Sequence, residues 1–169
     1  TPSVVTTSDA GAGVGYTSFR IRGTDPTRIN VTVNGIPLND SESQGVWWVN
    51  MPDFSSSIGS IQIQRGVGTS TNGAAAFGAS VNLKTNGLNK EAYAVTNNSV
   101  GSFATLKNNI EFGTGLLNGK FAFDGRLSKI SSDGYIDRAS SDLKSLYLQG
   151  AYFGKKTVLK GIEIGRAHV

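Results

Sequence analysis

The sequence has 169 residues, 22 of them glycine and none cysteine, with 38% hydrophobic residues, 17% charged residues and a net charge of +4. Disulfides, thiol chemistry and a helical bundle are excluded, and the basic residues form no run or stripe that would grip a nucleic acid. No run of about 18 apolar residues occurs, so no helix spans a membrane, but a membrane strand needs only about 10 alternating residues.

In chain order, the sequence opens Thr1-Pro2-Ser3 without an initiator Met or a signal peptide, as an interior fragment would. Up to about residue 87, short apolar runs are broken by Gly, Pro, Asn and Asp. Phe19-Arg20-Ile21-Arg22-Gly23 and Ile29-Asn30-Val31-Thr32-Val33-Asn34-Gly35 read as two short strands. Pro26, Pro37 and Pro52 punctuate loops. A polar loop, Asn39 to Gly45, leads to Trp47 and Trp48. Either these anchor a core or one of them faces a ligand, since an indole offers a flat apolar surface with an N–H handle. Helix is expected only around Pro52 to Ile58, with Asp53 or Ser55 as a cap. Ile61-Gln62-Ile63-Gln64-Arg65-Gly66 alternates and again ends in Arg-Gly, and a Gly/Ala/Ser/Thr run to Gly78 leads into Ser80-Val81-Asn82-Leu83-Lys84-Thr85.

From about Glu91 the period becomes two over long stretches. Lys120 to Ser131 puts Phe121, Phe123 and Leu127 on one side and Asp124, Arg126 and Ser128 on the other. Ala104 to Phe112 opposes Leu106, Ile110 and Phe112 to Thr105, Lys107, Asn109 and Glu111. Leu143 to Phe153 sets Leu146, Leu148 and Tyr152 against Ser145 and Gln149. Glu91 to Val100 is a fourth strand, and Thr157 onward begins a fifth. Tight and longer links alternate, as in antiparallel up-and-down strands. Tyr135, Tyr147, Tyr152 and Phe153 stand where a membrane barrel places its aromatic girdles. Pattern alone leaves two readings open, a membrane barrel or a soluble antiparallel sandwich, although strands this long exceed the usual five or six residues. The tail from Glu163 to Val169, with the lone His168, resembles a translated sequencing adapter and is set aside.

Little here suggests catalysis. The glycine clusters lack the G-x-G-x-x-G or G-K-[ST] spacing of a nucleotide loop. Asp40, Glu42 and Asp53 read as solvated loop carboxylates. Without cysteine or a native histidine, the usual zinc sites and nucleophile dyads are unavailable, so no catalytic, cofactor or metal residue is expected.

Arg22-Gly23, Asn34-Gly35, Arg65-Gly66, Phe77-Gly78 and Val81-Asn82-Leu83-Lys84, in this order, resemble the plug of a TonB-dependent outer-membrane transporter. The family has Asp more often than Asn34, and a glycine pair where Ala79-Ser80 stand here. The resemblance implies an all-β dominated fold, with an α+β plug at 1–87 and the first four or five antiparallel strands of an about 22-stranded transmembrane barrel at 88–162. Residues 163–169 are the non-native tail. It also implies that the plug arginines Arg22 and Arg65 latch onto barrel carboxylates. Plug-apex loops would meet the ligand, with Tyr16, Arg28, Gln44 and Trp47 the expected contacts.

The function so implied is active uptake of a scarce ligand across the bacterial outer membrane. A ferric siderophore is the family default, with vitamin, haem and glycan as alternatives. The implied partners are the TonB-ExbB-ExbD complex, reached through an N-terminal motif absent here, and outer-membrane lipid. The competing reading is a soluble all-β carbohydrate-binding module.

Overall fold

The structure, a computed structural model, describes residues 2–67 and 77–168. The small-residue run at 68–76 lies outside the described residues. Strands β1 (Val4–Ser8) and β2 (Thr17–Ile21) form an antiparallel pair. Strands β3 (Ile29–Val33), β4 (Ile36–Pro37), β5 (Ile58–Arg65) and β6 (Ala79–Thr85) form a mixed sheet in the order β4-β3-β6-β5. Within it β3 and β6 run parallel and the other pairs antiparallel.

Turn chemistry fixes the early links. Arg22 and Gly23 have φ of 53° and 75°, and the Thr24 N–H donates to Ile21 O at 3.0 Å. Asn34 and Gly35, at 51° and 84°, close the β3–β4 hairpin with the two-residue turn whose twist matches its strands. The Asn34 amide also donates to Thr85 Oγ1 and accepts from the Thr85 N–H, both at 3.1 Å, tying the turn to β6. Ile29, Val31, Val33, Val81 and Leu83 form the core with Ile21 and Phe54. Ala79 and Ser80 are fully buried, so this departure from the family's glycine pair is accommodated by close packing. The helix expected at Pro52 to Ile58 is a single 3-10 turn, Phe54–Ser57. Asp53 precedes it with φ 55°, and its side chain does not cap it.

Strands β7 (Ala92–Gly101), β8 (Thr105–Thr114), β9 (Phe121–Ser132), β10 (Ser141–Phe153) and β11 (Val158–His168) form an antiparallel sheet in chain order. At 10 to 13 residues each, they are long enough to cross a bilayer when tilted. β11 pairs with β10 as far as His168 opposite Leu143. No helix among the described residues is long and apolar enough to cross a membrane.

The two faces of this sheet settle the choice left open by the pattern. Phe121, Phe123 and Leu127 are 42%, 50% and 50% exposed, while Asp124, Arg126 and Ser128 are buried. On β8, Leu106, Ile110 and Phe112 are exposed and Asn109 is buried. On β10, Leu148 is exposed and Ser145 and Gln149 are buried. In water each large apolar side chain left outside forgoes roughly 1.5–3 kcal/mol of burial. A soluble sandwich would turn these strands over, whereas a membrane wall places the apolar face in lipid.

One aromatic departs from expectation. Tyr147 is no girdle residue: it points inward, buried, with its ring 6.4 Å from that of Phe54 and its hydroxyl donating to Gln149 Oε1 at 3.1 Å. Its odd-numbered place in β10 puts it on the polar face, whatever its affinity for interfaces. Tyr152 does pack on the Phe121 ring at 5.0 Å near the strand end.

Candidate functional site

The wet face of the wall meets the N-terminal part at Asp53. Its side chain is fully buried, and it faces Arg126, itself 3% exposed, at 2.9 Å from Nη1 to Oδ2. Lys107 Nζ pairs with the other carboxylate oxygen. Ser128 Oγ and Asn109 Nδ2 donate to Oδ2 at 2.6 and 3.1 Å, and Ser56 Oγ donates to Oδ1 at 2.6 Å. Arg126 also donates to the Asp53 carbonyl. Burial pushes the Asp53 carboxyl up, but donation from Lys107, Ser128, Ser56 and Asn109 outweighs it and holds the pKa at about 2. Asp53 is therefore not a solvated loop carboxylate. Its left-handed backbone turns it toward the wall, and neighbouring strands supply the donors: Asn109 stands opposite Ser128 across β8 and β9.

The junction has two further tiers. Toward β11, Gln149 Nε2 donates to Asn86 O at 3.2 Å and Lys160 Nζ to Thr85 Oγ1 at 3.4 Å. At the other end, the Tyr135 N–H in the β9–β10 loop donates to Ala10 O at 2.8 Å, and the Tyr135 and Phe103 rings meet edge to face.

Arg22 and Arg65 are both exposed, and neither has an ion pair among the described residues. The charge-paired contact in these strands therefore has the opposite polarity, with the carboxylate on the N-terminal part and the cations on the wall. The expected ligand contacts sit on separate loops. Tyr16 is exposed in the β1–β2 loop, where Asp9 N donates to Tyr16 O at 3.0 Å. Arg28 ends the 3-10 turn Pro26–Arg28, which Asp25 caps by accepting from the Thr27 N–H at 3.0 Å. That bond and the Thr27 hydroxyl hold the Asp25 carboxyl below its usual range. Gln44 belongs to a loop closed by Asp40, whose carboxylate accepts from the Ser43 and Glu42 amides at 2.7 and 3.0 Å, lowering its pKa. Asn39 draws two of these segments together, since its amide donates to both Ile29 O and Gln44 O. Of the two indoles, Trp47 is 54% exposed, whereas Trp48 packs on the Phe19 ring at 5.6 Å against the core.

The sequence model of the TonB-dependent Receptor Plug Domain matches residues 1–80. Residues 1–80 are a TonB-dependent receptor plug domain. The whole chain resembles solved outer-membrane receptors of Gram-negative bacteria. The ferric yersiniabactin uptake receptor of Yersinia pestis aligns at 12% identity with TM-score 0.70, over 92% of this chain and 25% of its own. The pyoverdine outer membrane receptor of Pseudomonas aeruginosa aligns at 15% and 0.69, over 95% and 23%. The siderophore receptor PirA of Acinetobacter baumannii aligns at 17% and 0.60, over 99% and 28%. At these identities the likeness fixes the fold: plug, then the first strands of an outer-membrane barrel. The chain spans about a quarter of the length of these receptors. No curated protein sequence matches it. A soluble carbohydrate-binding module finds no support.

Proposed function

We propose that this plug and its wall belong to a receptor that imports a scarce ligand across the outer membrane, driven through TonB, with a ferric siderophore as cargo. The observation that carries the reading is a plug seated by buried charge against strands that are apolar outside and polar within. Its similarity to receptors for yersiniabactin and pyoverdine favours the siderophore. A copper transporter also aligns, at 16% identity and TM-score 0.67, so a bare metal ion is the second cargo to test.

In this reading Tyr16, Arg28, Gln44 and Trp47 face the cargo. Arg22 and Arg65 pair with carboxylates of further barrel strands, while Asp53 supplies the complementary latch. The ExbB-ExbD proteins and the surrounding lipid complete the machinery. The test is uptake of labelled ferric chelates by cells expressing the full-length receptor, with and without TonB. TonB-dependent accumulation of iron is the expected result. Accumulation of copper but not iron chelates would overturn the siderophore assignment, and loss of all TonB-dependent uptake would overturn the function itself.

A further inference from the structure

The outward face of the wall carries a pair of cations among its apolar side chains. Lys129 of β9 and Lys144 of β10 stand directly opposite each other in the ladder, both exposed. Their faces follow from alternation, since each lies two residues from an outward-facing leucine, Leu127 or Leu146. Like charges placed opposite one another across a ladder are destabilising. Asp142 offsets only part of this, meeting Lys129 at 3.4 Å. Lys144 has no ion pair among the described residues. In register, Asn98 and Asn108 continue the row across β7 and β8. Below it, Ile110, Leu127 and Leu146 line the same groove, of about 720 Å³.

A bare polar row on a lipid-facing surface is costly unless something polar meets it. Two ammonium groups above an aliphatic floor suit an amphiphile with an anionic head and acyl tails, the lysine stems lying along the apolar surface. The row lies toward the end of the wall that carries the β9–β10 loop, 133–140, the longest link in the sheet. Long loops mark the extracellular side of such barrels. We propose that Lys129 and Lys144 bind the phosphate of an outer-leaflet lipid, with Asn98 and Asn108 as neutral donors and the groove below as the seat of an acyl chain. This rests on the membrane-barrel reading above.

The experiment uses the full-length receptor, purified in non-ionic detergent. It is mixed with bisphosphorylated lipid A, dephosphorylated lipid A, phosphatidylethanolamine or inorganic phosphate, and retained lipid is counted by native mass spectrometry. Phosphorylated lipid A should be retained in preference to the other lipids. The double variant Lys129→Gln/Lys144→Gln should weaken its retention roughly tenfold, and Lys129→Arg/Lys144→Arg should restore it. The pair Lys155→Gln/Lys156→Gln, in the turn at the opposite end, should leave it unchanged. Equal retention by the Gln pair overturns the proposal, as does equal retention of the dephosphorylated lipid. Displacement by millimolar phosphate also overturns it, because the site would then be one for free anions. Uptake by the Gln pair should match the wild type. A receptor that transports without holding lipid sinks this inference alone, and one that never reaches the membrane sinks the reading beneath it.

Discussion

Ser56, Asn109 and Ser128 do for Asp53 what water does for a carboxylate in a loop. Buried without them, the charge would be prohibitive; with them and two cations it is held ionised. Asp53→Asn should strand Arg126 and cost about 3–5 kcal/mol of plug docking, read as faster amide exchange at Phe54 to Ile58. The double variant Asp53→Asn/Arg126→Gln should recover part of that loss. The acid limb has a definite sign. The folded pKa lies at about 2, below the ordinary 3.8, so the carboxyl stabilises the junction above about pH 4 and loses that contribution as pH falls from about 4 to 2. Trp48 fluorescence of the full-length receptor should report this acid release, and Asp53→Asn should abolish its dependence in that window. Gly78 is a second sensitive point: a Cβ there would stand 2.7 Å from Thr24 Cβ. Gly78→Ala should lower plug stability by about 1–3 kcal/mol in denaturant unfolding. The sequence marks Gly78 by its place in a motif. It does not mark Asp53, whose partners on the wall lie 54 to 75 residues away, although Arg126 in the middle of a wet face already demands a counter-charge from somewhere.

At the scale of elements, β7 to β10 were legible because a half-lipid, half-water environment writes itself in period two. Only the environment of each face was hidden, since a sandwich and a barrel share the pattern and differ in which side is covered. The plug was less legible. Its strands have two to eight residues and pair across long separations, so β3 beside β6 comes from tertiary contacts that no local pattern announces. Small residues support the outward aromatics: Phe112 lies across the ladder from Gly125, and Phe123 from Gly150, where an added Cβ would meet the ring at 2.8 Å. Glu163, opposite Leu148, breaks the apolar face and falls in the stretch read as a non-native tail. Phe123→Arg should cost about 2–4 kcal/mol if it lies at the bilayer midplane. Heat-modifiability of the folded barrel on gels would show that loss as a lower transition temperature.

For the molecule as a whole, the plug combines short strands and turns with positive φ, while the wall has long ladders. Plug amides in the full-length receptor should exchange much faster than those of β8 to β10. Equal protection would count against a plug that yields during transport. The order of failure is built into β1 and β2. Val4 lies opposite Ile21 and Ser8 opposite Thr17, so the strands meet again at the loop far from the chain's beginning. Inter-strand hydrogen bonds run perpendicular to the strands. A tug on the leading end therefore opens this pair like a zip, one rung after another from Val4, rather than shearing all rungs at once. Force would reach the buried β3 only after that small ribbon had come apart, leaving the tether to Tyr135 at Ala10 as the next thing to give.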